Sequence, residues 1–321
     1  MKLSRGRLHA LFAMLAVASV VTAACGDDRP TTRAATGVST TSPTAAPDPS
    51  RVLKISAIPD QDPAKLTSIN GAMATYLSTK LGRKVEYVPV TDYAAAVSLF
   101  RTGDIDMVFF GGLTGVQARL QTPGAVLLAQ RDIDDAFRSV FIANVGAKIA
   151  PIADVKQLTS LKGKRFTFGS ESSTSGRLMP EYFLDQAGVT SASDFSGPPG
   201  YSGSHDKTVD LVQAGTYEAG ALNLSVWKKR KEAGTVDLTK VTEIFVTPPY
   251  HDYHWMAGPR TDERFGAGFT TVLAAALTRL DANDPAEKVV LDLYGAKKFI
   301  PTTAANYREI EQIGRKLRLI T

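Results

Sequence analysis

"KRFTFGSESSTSGRLMPEYFLDQAG", Lys164–Gly188, reads as a strand that runs directly into a helix. A β-rich pattern carries the chain to Phe168, and apolar residues at helical spacing follow from Leu178. Between them lie Ser170, Ser172, Ser173, Thr174 and Ser175, together with Gly169 and Gly176. A strand closed by glycine and followed by a helix is the unit of an open α/β sheet, whose ligands gather at the carboxyl edge of the strands. One hydroxyl before a helix is an ordinary N-cap, worth about 1 kcal/mol. A run of hydroxyls from Ser172 to Ser175 beside two glycines exceeds what a cap needs. A helix N-terminus has unpaired N–H groups and the positive end of the dipole, and both suit an anion.

The same alternation extends in both directions. "RVLKISAIP", "KVEYVPV", "IDMVFFGG", "AVLLAQ" and "RSVFIANV" read as strands. "PAKLTSINGAMATYLSTKLG", "DYAAAVSLFRTG" and "LTGVQARLQ" read as the helices between the first of them. After "PIADVKQLTSLKG" the pattern restarts and runs to "VTEIFVTPP", and three helical stretches close the chain. Strands alternating with helices over short connections predict an α/β fold with parallel sheets. The simplest arrangement is two α/β lobes joined by a two-segment hinge. Residues 51–145 plus 248–321 form one lobe and residues 146–247 the other. "FFGGLTGVQA" repeats the opening device in the first lobe, with Gly112 and Thr114 at the start of its helix. Two such helix starts facing each other would clamp one small anion, although close strand–helix packing accounts equally well for the second.

The N-terminus, "MKLSRGRLHALFAMLAVASVVTAACGDD", has a basic start, an apolar middle and small residues before Cys25. This is the layout of a secretory signal over residues 1–24. Cys25 is the one cysteine in the chain, so no intramolecular disulfide forms. Its place after Ala23-Ala24 resembles a lipobox, which predicts a lipidated Cys25. Residues 25–50 are rich in Thr, Ala, Pro and Ser and read as a disordered tether. The expected location is extracytoplasmic, with the lipid holding the protein to a bacterial cell membrane. The formal charge is +5, and loss of the signal's three basic residues leaves +2. That balance, evenly spread, argues against nucleic acid as a partner.

The segments "ISAIPDQDP", "VEYVPVTDYAAAV", "IDMVFFGGLTGVQARL", "LKGKRFTFGSESSTSGRLMP", "YSGSHDKTVDLVQAG", "GALNLSVW" and "TPPYHDYHW" together resemble the phosphate, phosphite and phosphonate-binding lipoproteins of ABC importers. The resemblance is strongest to the branch labelled as selenate-binding, and it covers nearly everything from Arg51 onward. It implies a type II periplasmic-binding-protein fold, a small oxyanion ligand, an ABC permease with its ATPase as partners, no cofactor, no catalysis and a monomer. Matching residue by residue, it implies ligand contacts from Tyr93, from Ser173, Thr174 and Ser175, and from His205. It also places Asn223, Asp252 and Tyr253 at the cleft. Family members that hold a substrate's amine use a carboxylate near the position of Ser225, which here is uncharged.

Two other chemistries compete. His251, His254, Asp252 and His205 invite a zinc reading, but Pro248-Pro249 and the flanking aromatics point to an extended hinge rather than a metal-binding turn. Tyr250 or Tyr253 can donate a phenol into the cleft. A serine nucleophile with His205 and Asp252 would make a hydrolase, yet neither GxSxG nor GxxxxGK[ST] occurs. The remaining alternative is a surface lipoprotein that senses an oxyanion or adheres to a partner without transport.

Overall fold

The computed structural model describes Asp48 and residues 50–320. The signal segment 1–24, Cys25 and nearly all of the tether expected over 25–50 lie outside the described residues. From there strands and helices alternate. β1 (Leu53–Ala57) leads into α1 (Pro63–Leu81). That helix begins where the Asp62 carboxylate accepts from the Ala64 and Lys65 N–H groups, and it ends at left-handed Gly82. β2 (Val85–Tyr87), α2 (Tyr93–Thr102), β3 (Met107–Phe110), α3 (Gly112–Gln121) and β4 (Val126–Arg131) follow. Every residue of β3 is buried, as its continuous apolar run predicts for a central strand. Burying those four side chains contributes roughly 6–10 kcal/mol before chain entropy is counted.

The second half holds β5 (Ser139–Asn144), β6 (Phe166–Phe168), α4 (Met179–Gln186), β7 (Gly200–Tyr201), α5 (His205–Gln213), β8 (Ala219–Asn223), α6 (Leu224–Glu232) and β9 (Val241–Val246). β10 (His254–Ala257), four short helices and β11 (Phe299–Ile300) complete the chain. Two sheets result. One has six strands in the order β11-β4-β10-β3-β1-β2, the other five in the order β7-β6-β8-β5-β9.

The sheets are mixed rather than parallel. β1 runs parallel to β2 and β3, and β6 runs parallel to β7 and β8. β10 is antiparallel to β3 and β4, and β5 is antiparallel to β8 and β9. The reason is the hinge. A strand that arrives from the other lobe enters its sheet at the cleft and runs away from it, while the βα units run toward it. β5 therefore belongs to the second sheet, and the first crossing falls before Ser139 rather than near residue 145. The crossing segments are bonded to each other. Phe137 and Tyr250 exchange N–H···O bonds of 2.8 and 2.9 Å, and the Asp252 N–H reaches the Asp134 carbonyl at 3.0 Å.

Two further local differences appear. The first of the three closing helical stretches, "TDERFGAGFTTVLAAALTRL" from Thr261, is two helices, Thr261–Phe265 and Phe269–Thr278, because Gly266 and Gly268 both take positive φ. The short strands β7 and β11 carry no alternation long enough to be read from sequence.

Candidate functional site

Strand direction sets where chemistry collects. The carboxyl ends of β1, β3, β6 and β8 and the amino ends of β5 and β10 all meet the cleft between the sheets. At the end of β6 the helix opens as a wide turn, with Leu178 N–H bonded to the Ser173 carbonyl at 2.9 Å and Met179 N–H bonded back to Thr174. Such i→i+5 turns recur at functional sites. Ser173 caps the turn, its Oγ accepting from Gly176 N–H at 3.0 Å. Glycine at 176 follows from close approach. An added Cβ would stand 3.1 Å from Gly169 Cα and 3.2 Å from His205 Cε1.

The three hydroxyls divide into distinct roles. Ser173 caps. Thr174 Oγ1 accepts from Leu113 N–H of the other lobe at 3.0 Å. Ser175 Oγ is buried without a hydrogen-bond partner, while its carbonyl is held by Ser139 Oγ at 2.7 Å. Glu171 is exposed and stays out of the cluster.

The first lobe's helix start behaves differently. Gly112 N–H donates to Asp252 Oδ1 at 2.9 Å, and Leu113 N–H is taken by Thr174. The Thr114 hydroxyl donates to the Gly111 carbonyl at 3.1 Å. The expected clamp of two equivalent helix ends is thus not what forms, because α3 directs its first N–H groups at protein atoms. Asp252 Oδ2 is buried and unpartnered. Burial pushes this carboxyl up to about 7, against the opposing pull of the Gly112 bond. Tyr93, at the start of α2, also buries an unpartnered hydroxyl. Burial, with the charges of Asp60 and Asp252 adding to it, raises this phenol well above its ordinary value.

His205, Asn223 and Tyr253 form a connected network. Burial holds His205 down at about 3, so the ring is neutral and not the imidazolium. Its Nδ1 accepts from Asn223 N–H at 3.4 Å, which places the proton on Nε2, 3.3 Å from Tyr253 Oη. Asn223 Oδ1 caps α6, accepting from Ser225 and Val226 N–H groups, so its Nδ2 is left to meet Tyr253 Oη at 3.3 Å. Tyr253 Oη in turn donates to Asp60 Oδ2 at 2.7 Å. The Asp60 carbonyl accepts from His205 N–H at 2.8 Å, a bond that joins the lobes.

Asp60, Arg131 and Asp134 were not singled out in sequence. Asp60 follows β1 at the same edge, which was the available signal, but "PDQDP" reads as a turn. Burial raises its carboxyl to about 6. Arg131 and Asp134 are a buried pair with N···O distances of 2.6 and 2.7 Å, and the guanidinium lies 4.8 Å from the Tyr253 ring centre. Tyr250 directs its phenol to Ser139 at 2.6 Å instead of into the cleft.

The zinc and hydrolase readings find no geometry. His254 packs 4.2 Å from the Tyr307 ring, and among the described residues no group of three His, Cys, Asp or Glu could hold a metal ion. The His205 ring nitrogens meet Tyr253 and the Asn223 backbone, not a serine.

The comparisons with known proteins agree with one another. A model of the ABC transporter, phosphonate, periplasmic substrate-binding protein family matches residues 55–307. The probable ABC transporter phosphite binding protein PhnD1 of Prochlorococcus marinus MIT 9301 is 47% identical over 270 residues, spanning 84% of this chain and 91% of that protein. The structure of that organism's PhnD1 in complex with methylphosphonate superposes with a TM-score of 0.82 at 48% identity, covering 84% of this chain and 99% of that one. At the level of fold alone, a phosphonate-transporter binding protein of Pseudomonas aeruginosa aligns with a TM-score of 0.72 at 19% identity, covering 84% and 87%.

Proposed function

The chain belongs to the periplasmic phosphonate substrate-binding family of ABC transporters, and from that premise we propose that its ligand is a small phosphorus oxyanion, phosphite or methylphosphonate. Members of this family are transport proteins rather than enzymes, and this one is the extracytoplasmic substrate-binding component of a phosphonate/phosphite importer with a type II periplasmic binding fold. The observation that carries the choice of ligand is Asp252 Oδ2, a buried carboxylate oxygen with no partner, in a cluster that also offers the unpartnered donors Tyr93 Oη and Ser175 Oγ.

One proton decides the fit. A phosphorus oxyanion still carrying a P–OH donates to an ionised Asp252. A ligand with no proton, such as sulfate or selenate, is accepted only while Asp252 itself is protonated. Ser175, Tyr93 and the Thr174 and Ser175 N–H groups then hold the other oxygens by charge-assisted hydrogen bonds. Ser173, Thr174, Gly112, His205, Asn223 and Tyr253 position these groups, and closure of the lobes presents the complex to a permease.

Calorimetric titration of residues 50–321 with phosphite, methylphosphonate, phosphate, 2-aminoethylphosphonate, sulfate, selenate and selenite tests this. Phosphite and methylphosphonate should bind most tightly. Binding of selenate and sulfate should weaken as pH rises through about 7, where Asp252 loses its proton. Selenate binding as tight as phosphite at pH 8 would refute the assignment.

The lipid anchor at Cys25 is part of the same reading, supported by the lone cysteine after small residues. Fatty-acid labelling of the expressed full chain should be present and should vanish in Cys25→Ser. Labelling that persists in the variant rules the anchor out.

A further inference from the structure

A cavity of about 50 Å³, partly open to solvent, lies beside the cluster; Ile58, Leu66, Ile69 and Leu293 give it an apolar side, and Gln61, Asn70, Arg131 and Lys229 also line it. Tyr93, Ser175, His205 and Asp252 do not border it. Asp60, Asn223 and Tyr253 border it and also belong to the cluster network. These three therefore stand between the unpartnered donors and acceptor on one side and the cavity on the other.

The partition is held from every side. The Tyr253 ring stacks on Phe109 at 5.4 Å and 22° and meets Phe137 edge-on at 5.4 Å. Arg131 covers it as well. The hydroxyl uses its full capacity, donating to Asp60 and receiving from Asn223 and His205. Swinging the ring aside would leave a buried carboxyl and an amide without partners, which is unfavourable in a dry interior. Asp60 is fixed in its turn, because its carbonyl holds His205 N–H across the lobes.

We propose that Tyr253, anchored by Asp60 and Asn223, is a wall that limits the ligand to substituents about the size of a hydrogen or a methyl group. Asp60 is then a positioning residue for specificity, acting through Tyr253 rather than by touching the oxyanion. The inference rests on the phosphorus-oxyanion reading above. The space behind the wall has an apolar side and room for a few water-sized groups, about what a propyl chain needs, so size exclusion here depends on hydrogen bonds and not on a lack of room.

The test compares methylphosphonate, ethylphosphonate and propylphosphonate by calorimetry on residues 50–321, for the natural protein and for Tyr253→Ala, Tyr253→Leu and Asp60→Ala. The readout is the ratio of the propyl to the methyl dissociation constant. A variant that only loosens the fold weakens both ligands alike and leaves the ratio unchanged. The natural protein should show a ratio of at least about 10, equivalent to about 1.4 kcal/mol. Tyr253→Ala should bring it below about threefold, and Asp60→Ala should lower it part of the way. Tyr253→Leu carries the same expectation if the alanine variant does not fold. A natural-protein ratio near one, or a ratio unmoved in the folded variants, overturns the wall. Failure of the natural protein to bind phosphite and methylphosphonate at all would instead overturn the ligand assignment on which the wall rests.

Discussion

The helix starts after β3 and after β6 look alike in sequence, each a buried strand, glycine, a hydroxyl residue and then a helix. In the folded chain they do opposite things. The α3 start is saturated by protein. Gly112 N–H holds Asp252, Leu113 N–H holds Thr174, and the Thr114 hydroxyl closes on Gly111. The turn after β6 keeps Ser175 Oγ buried and free. One end organises the cleft, fixing the hinge carboxylate and the opposite lobe. The other keeps a buried hydroxyl available for the ligand proposed above. A helix N-terminus is thus a donor array whose use depends on which acceptor reaches it first.

The sharpest way to break this contrast is a matched pair of variants, Ser175→Ala and Thr114→Val. Losing a hydroxyl bonded to an anion costs about 1.5–3 kcal/mol, so Ser175→Ala should weaken phosphite binding by at least about tenfold. Its ligand-free melting temperature should hold or rise, since the hydroxyl it removes is buried and unpaired. Thr114→Val should leave affinity within about twofold, with a stability loss of at most about 1 kcal/mol. The loss is small because the Gly111 carbonyl still accepts from Gly115 N–H at 2.8 Å. Equal losses of affinity in both variants, by calorimetry, would show that the two helix ends do the same job.

What could be read in sequence follows the same division. Local signals located the cleft edge well, because strand direction, glycine and capping chemistry act within a few residues, as at Phe168–Gly176. What escaped depends on distant partners. The resemblance puts Asp252 at the cleft but does not give its partner, because the N–H that it occupies lies 140 residues away. Asp60 reads as part of a proline turn until Tyr253, 193 residues on, donates to it. The reversed strands β5 and β10 escaped for a related reason. Alternation reports which face of a strand is buried, but it does not report from which end the chain enters the sheet.

The last comparison concerns Asp252 itself, at the α3 start. Two effects oppose there. The helix end and the Gly112 N–H favour the ionised carboxylate, while burial favours the neutral acid. Burial prevails, since the folded-state value is raised to about 7 from 3.8. Between those values the unfolded chain has released this proton and the folded chain retains it, so this group's contribution to stability falls as pH rises from about 4 to 7. Asp252→Asn keeps an oxygen to accept from Gly112 and removes the titration. Relative to the natural protein, its ligand-free melting temperature should therefore improve steadily over that window and level off above it. The contributions of Asp60 and His205, present in both proteins, cancel in the difference. Thermal unfolding at half-unit steps from pH 4 to 8 measures it. A difference that shrinks or reverses with rising pH would mean that the helix end holds an ionised Asp252. The α3 start would then itself be an anion site, with a protein carboxylate as the anion.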